Sequence, residues 1–320
     1  MGAPALHRPD PVQLLSGPAT AALRRGRLLR DLIASARRGP PPIPDPAPLV
    51  SVIIATYNYS SVLRHAIRCV LNQTYGSFEL FVVGDACSDD SEEVVASFGD
   101  PRVTWINREE NSGTQSGPNN TGIERAAGRY VAYLGHDDLW HPWHLATLVG
   151  ELERTGAPIA HGLIELLGPP GSRRKILGGL APGDRPLGRW VPPTCVAHLT
   201  ELGRRTPWRH YTETADPPDV DFLDRVQRQV GPPLRVVALT SFKFPATWRP
   251  NCYVDRPDHE QAAWSERLEH DPRMLERELL SLLFHRLSPF HGKLPPQPVP
   301  PSDAQPGWLT ARARRIRGLE

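Results

Sequence analysis

The sequence predicts an α/β domain with a mostly parallel sheet covered by helices. Three observations predict it. Short apolar runs rich in β-branched residues alternate with stretches of helical spacing, the mark of strands buried on both faces. A chain of 320 residues with 39% hydrophobic content has enough material for one such core with appendages. Polar residues unusual for buried strands collect where those strands end, the place at which parallel sheets hold their ligands.

The elements follow in order. Residues 11 to 37 carry Leu14, Leu15, Leu23, Leu28, Leu29, Leu32 and Ile33 among many arginines, a loosely amphipathic helical arm. Its basic face suits anionic lipid, and its apolar face suits packing on the chain's own domain. A stiff proline-rich linker, Pro40 to Pro48, separates it from the strand at 49–55. Helical spacing at Val62, Leu63, Ala66, Ile67, Val70 and Leu71 follows, with Ser60 or Ser61 as the expected cap. Strands are expected at 79–83, 103–107 and 130–134, and helices near 91–98, 119–127 and 141–154. Beyond residue 156 prolines interrupt the pattern. That half is expected to be loop-rich, with strand character at 235–239 and a helix at 272–285. The division is an arm and linker at 1–48, a ligand-binding half at 49–150, a second half at 151–290 and a flexible basic tail at 291–320.

Charge excludes some partners. Lys and Arg number 37 against 35 Asp and Glu, a formal net charge of +2, so there is no global pull toward nucleic acid. An acidic ligand must be recognised locally. Cys69, Cys87, Cys195 and Cys252 lie far apart without CxxC pairing, which predicts free thiols. No stretch approaches the roughly 18 apolar residues that span a bilayer, so a cytoplasmic protein is expected, with at most peripheral contact at the inner face of the membrane.

The chemistry should lie at the strand ends. Asp137 and Asp138 follow Val131-Ala132-Tyr133-Leu134, so a buried strand delivers two carboxylates, a costly pair unless a cation or solvent compensates it. Carboxylate oxygens suit Mg2+ or Mn2+. Asp138 also suits the cap of the next helix. His136, His141 and His144 lack zinc-ligand spacing. Thr56-Tyr57-Asn58 and Asp85 end neighbouring strands, where a carboxylate can accept from a base N–H or ribose hydroxyls, although Asn58 and Asp85 equally suit turns. Neither GxGxxG after the first strand, GxxxxGK[ST] nor GxSxG occurs, which removes dinucleotide-binding, P-loop and serine-hydrolase readings.

In combination these motifs resemble the family 2 glycosyltransferases. The resemblance is carried by Val50-Ser51-Val52-Ile53-Ile54-Ala55-Thr56-Tyr57-Asn58, by Asn72-Gln73-Thr74-Tyr75, by Val83-Gly84-Asp85-Ala86-Cys87-Ser88-Asp89-Asp90-Ser91, by Asn111-Ser112-Gly113 with Asn120-Thr121-Gly122-Ile123, and by Tyr133-Leu134-Gly135-His136-Asp137-Asp138-Leu139-Trp140. It covers residues 49 to 150. It implies a GT-A fold, a nucleotide-diphospho-sugar donor, a divalent metal (Mn2+ or Mg2+) and inverting transfer to an acceptor hydroxyl of a sugar, lipid-linked sugar or small molecule, as in polysaccharide, glycolipid or other glycoconjugate synthesis. By position, Thr56, Tyr57, Asn58, Asp85 and Asp89 would serve the nucleoside, and Asp137 and Asp138 the metal. The general base of such enzymes lies downstream, and Pro217-Pro218-Asp219-Val220-Asp221-Phe222 resembles that segment, with Asp219 as the base and Asp221 second. Gly84 and Gly135 stand where the family often has acids. A non-catalytic nucleotide-sugar-binding protein is therefore the alternative. A sugar nucleotidyltransferase would need a glycine- and lysine-bearing phosphate loop that residues 56–61 lack.

Overall fold

A computed structural model describes residues 18–169, 175–178, 191–284 and 301–319. After the helix α1 (Pro18–Arg38), strands and helices alternate as β1 (Val50–Thr56), α2 (Ser60–Leu71), β2 (Phe78–Gly84), α3 (Ser91–Ala96), β3 (Val103–Asn107), α4 (Ser116–Arg125), β4 (Tyr130–Gly135), β5 (Leu139–Trp140) and α5 (His144–Thr155). The second half supplies β6 (Ile159–Leu166), β7 (Lys175–Leu177), β8 (Val196–Leu199), α6 (Thr200–Arg205), α7 (Pro218–Val230), β9 (Leu234–Lys243), α8 (Cys252–Asp255), α9 (His259–His270), α10 (Met274–Phe284) and α11 (Trp308–Arg317).

Among the described residues, all nine strands join one sheet in the order β3-β2-β1-β4-β8-β6-β9-β5, with β7 paired to β6. Strands β3, β2, β1 and β4 run parallel, so the carboxyl ends of β1, β2 and β4 lie side by side. In register, Thr56 faces Gly84, and Ala55 faces Gly135. Every residue of β6 is buried. The sequence hid this strand because His161, Gly162 and Glu165 interrupt its apolar run. It pairs antiparallel with β8 and parallel with β9, which extends the sheet well beyond the half at 49–150.

Apolar residues fill both faces. One core contains Val52, Ile54, Leu63, Ile67, Leu80, Trp140 and Leu148, and the other contains Ile53, Tyr133, Trp208, Phe222 and Val226. One element follows the second of its two expectations, and two depart from theirs. The arm helix packs on its own domain: Leu29, Leu32 and Ile33 are buried in the first core, and Arg37 donates to Glu276 of α10 at 2.6 Å. Neither Ser60 nor Ser61 caps α2 through its side chain; the cap comes from Asp89, whose Oδ2 accepts from the Ser60 N–H at 3.1 Å. The tail expected to be a flexible basic end carries α11, held to the body by backbone hydrogen bonds at Gly307 and Ile316. Leu14, Leu15 and residues 285–300 lie outside the described residues. Among the described residues no helix is long and apolar enough to cross a membrane, and the four cysteines are free thiols.

Candidate functional site

The site grows from the carboxyl ends of β1, β2 and β4. Strand β1 stops at Thr56 because Asn58 takes a left-handed backbone (φ 44°), a conformation asparagine tolerates. The Asn58 Oδ1 accepts from the Ser88 N–H at 2.8 Å and the Asp89 N–H at 3.3 Å, tying the loop after β1 to the loop after β2. Asp89 then joins two helices. One oxygen holds Ser60, and the other accepts from the Ser91 hydroxyl at 2.6 Å. These contacts make the turn reading of Asn58 physically real. Tyr57 sits half-buried in the same bend.

Asp85 is 4% exposed. Its carboxylate accepts from the Ser112 N–H at 2.9 Å and the Ser112 hydroxyl at 3.0 Å, and pairs with the Arg108 guanidinium at 2.5 Å. The Asn111-Ser112-Gly113 segment, ambiguous in sequence, is therefore the partner of Asp85. A side chain at Gly84 would place its Cβ 2.6 Å from Asn107 Oδ1 and 2.7 Å from Trp105, so this sheet has no room for an acid there.

At the end of β4 the two adjacent carboxylates divide. Asp138 is wholly buried. Its Oδ2 accepts from the Thr194 hydroxyl at 2.5 Å and pairs with Lys243 Nζ at 2.9 Å, and its Oδ1 accepts from the Phe244 N–H at 3.1 Å. Burial alone would depress the Lys243 ammonium, but the charges of Asp138 and Asp137 outweigh it and hold Lys243 above its ordinary value. Lys243 is thus committed to Asp138 and not to a phosphate. Asp138 does not cap the following helix, which begins only at His144 behind a Trp143 cap position. Asp137 is half-buried, and its backbone carbonyl accepts from Gln261 at 3.2 Å. A Cβ at Gly135 would lie 2.8 Å from an Asp138 oxygen and 3.1 Å from an Asp137 oxygen, so glycine is what lets both acids occupy this corner.

His136 sits between the pair and the first strand. Its ring bonds to the Thr56 hydroxyl at 2.9 Å and the Tyr253 hydroxyl at 3.0 Å, and burial lowers its pKa. A neutral imidazole fits both contacts because it donates at one nitrogen and accepts at the other. Tyr59 packs edge-on to His136 and Tyr253. His144 bonds instead to the Thr240 hydroxyl at 2.9 Å, and His141 receives the Trp143 N–H at 3.4 Å, so the three histidines do not converge. Among the described residues no group of three or more His, Cys, Asp or Glu is arranged to hold a metal. Of the two acids at this corner, Asp137 is the one that is not fully buried. That suits Mg2+ or Mn2+, which take one or two protein carboxylates and fill the remaining positions with water and phosphate.

Asp219 lies in the first turn of α7, half-buried. One turn later Phe222 stacks on Trp208 at 4.4 Å and sits edge-on to Tyr133, two residues before Gly135. Asp221 accepts from Arg225 at 2.8 Å and faces Arg209 at 3.6 Å. Thr194, Tyr253 and Arg108 carry no direct sequence signal as members of this region, because each enters without a motif of its own.

Residues 51–175, about two fifths of the chain, match the family described as Glycosyl transferase family 2. The chain is 32% identical over 119 residues to the Escherichia coli "UDP-Glc:alpha-D-GlcNAc-diphosphoundecaprenol beta-1,3-glucosyltransferase WfgD", covering 37% of this chain and 47% of that protein. It is 36% identical over 120 residues to the Rhizobium meliloti "Succinoglycan biosynthesis protein ExoO", covering 38% and 34%. It thus spans less than half the length of the curated relatives it matches. Among solved structures, S. aureus TarS 1-349 in complex with UDP superposes with a TM-score of 0.52 at 18% identity, over 77% of this chain and 75% of that one, which establishes the shared GT-A fold. Residues 51–175 thus match the family 2 glycosyltransferases, the family that the motifs at 49–150 resemble.

Proposed function

We propose that the protein is an inverting glycosyltransferase that moves a sugar from a nucleotide-diphosphate donor to an acceptor hydroxyl in glycoconjugate or polysaccharide synthesis. The observation that carries this is the position of Asp137, a half-buried acid just after β4, where the parallel strands β1, β2 and β4 finish together. Relatives named for glucosyl transfer and succinoglycan biosynthesis, and a fold shared with a structure that holds UDP, support the same reading.

In this mechanism Thr56, Tyr57, Asn58, Asp85 and Asp89 shape the nucleoside end of the crevice. Asp85 and Asp89 act chiefly by fixing its walls, since their oxygens hold Ser112, Arg108, Ser60 and Ser91. Asp137 would hold the divalent metal, and Asp138 keeps that corner rigid through Lys243 and Thr194. When bound, such a metal neutralises charge that develops on the departing diphosphate. Asp219 takes the proton from the acceptor hydroxyl.

The test is release of nucleoside diphosphate from a panel of nucleotide sugars, with Mn2+ or Mg2+ and candidate acceptors. Asp219→Asn should lower acceptor-dependent release by at least 100-fold while leaving donor affinity unchanged, because it removes only an interaction made in the transition state. Activity comparable to wild type would move the base elsewhere. Gly84 and Gly135, where related enzymes often carry acids, favour one second reading, a non-catalytic nucleotide-sugar-binding protein. Donor binding without turnover of any panel member would support it.

A further inference from the structure

The last described helix, α11, lies across the loops that surround the candidate site. The Gly307 N–H just before it donates to the Thr214 carbonyl at 2.9 Å, and the Asn251 N–H donates to the Ile316 carbonyl at 3.0 Å. Between these points Arg314 donates to the Gly113 carbonyl and lies over the Tyr211 ring at 6.0 Å. The three anchors belong to three different walls: the 111–113 segment that closes on Asp85, the 211–214 segment that leads into the helix of Asp219, and the 251–253 segment that presents Tyr253 to His136.

At the end of this helix Arg317 follows Ile316, whose carbonyl accepts from Asn251, so it sits beside the 251–253 segment that presents Tyr253 to His136. The Arg317 Nε is buried and meets no acceptor among the described residues. Its charge acts on His136, Lys243, Cys252 and Tyr253, and all four also feel the charge of Asp137. The other cations around the crevice are already matched. Lys243 faces Asp138, Arg108 faces Asp85, and Arg249 pairs with Glu260 at 2.7 Å. A buried guanidinium nitrogen without an acceptor is costly, and an anion seated beside it removes that cost. The planar fork of arginine matches phosphate oxygens two at a time.

We propose that Arg317 is a diphosphate-binding residue, carried over the site by α11, where it contacts the phosphates of the nucleotide donor. The inference rests on the glycosyltransferase reading above and adds to it a site residue outside the matched segment. It also gives the anchoring of α11 on three loops a purpose, because a guanidinium must be held in place to recognise a diphosphate rather than merely attract it.

The experiment uses the full chain and calorimetric titration with UDP and GDP, and in parallel with uridine and guanosine. Arg317→Gln should weaken nucleoside diphosphate binding roughly tenfold or more, the effect of losing a charge-assisted hydrogen bond. Nucleoside binding should be unchanged, Arg317→Lys should recover part of the loss, and thermal melting should stay at the wild-type midpoint. Unchanged diphosphate affinity in Arg317→Gln overturns the assignment while leaving the glycosyltransferase reading intact. Equal losses for nucleoside and diphosphate overturn it as well, since Arg317 would then act through the fold. If wild-type protein binds none of the four compounds, the glycosyltransferase reading falls and the assignment falls with it.

Discussion

Asp137 and Asp138 are chemically identical neighbours with opposite environments. Asp138 is enclosed and matched by an ammonium, a hydroxyl and an N–H, whereas Asp137 is only half-buried. Lys243→Met should therefore destabilise the protein by about 3 kcal/mol, because it leaves a buried carboxylate without its counter-charge. Urea unfolding checks this, and a Lys243→Met, Asp138→Asn double variant should lose less than the single one. The acidic pair was legible in the sequence, but its division was not. The groups that enclose Asp138 come from 56 and 105 residues downstream, in the half whose pattern is broken by prolines. Ala86 illustrates the same limit. It adopts φ 59° between Asp85 and Cys87, a left-handed turn that local sequence assigns to glycine or asparagine.

Among the elements, the strands of the first half were readable because each is a short, mostly apolar run rich in β-branched or aromatic residues. Strand β6 was not, since a buried His161, Gly162 and Glu165 break its pattern although no residue of it is exposed. Helix α1 shows the reverse case, an amphipathic pattern that was clear while its partner was not. Leu32, 1% exposed, enters the core shared with Met274, Leu275 and Leu279 of α10. Leu32→Ala should cost about 2 to 5 kcal/mol if α1 is an integral layer of the domain. A thermal midpoint equal to wild type would instead make α1 a detachable arm. Caps were the least legible feature. Asp89 reaches across from another loop to cap α2, which no local pattern at Ser60 or Ser61 reveals.

For the whole molecule, buried histidines set a dependence on acid. Burial holds His141 and His198 at about 4 and His144 at about 3, well under the ordinary value for histidine. Because the folded values are lowered, the unfolded chain takes up protons first as pH falls below about 6.5, and stability drains from there down to the folded values. Three such groups give a slope of about 4 kcal/mol per pH unit between pH 6 and 5. Denaturation midpoints measured from pH 8 to 5 should be flat above 7 and fall steeply below 6. A flat profile throughout would mean these rings are protonated or exposed in solution. The contact between α1 and α10 also has a consequence during synthesis. Arg37 and Glu276 are 239 residues apart, so α1 leaves the ribosome long before its partner exists. At ordinary elongation speeds that interval is roughly ten seconds to a minute. For all of it Leu29, Leu32 and Ile33 have no α10 to cover them, and a nascent chain with such a face is a client for chaperones until the last third of the protein arrives.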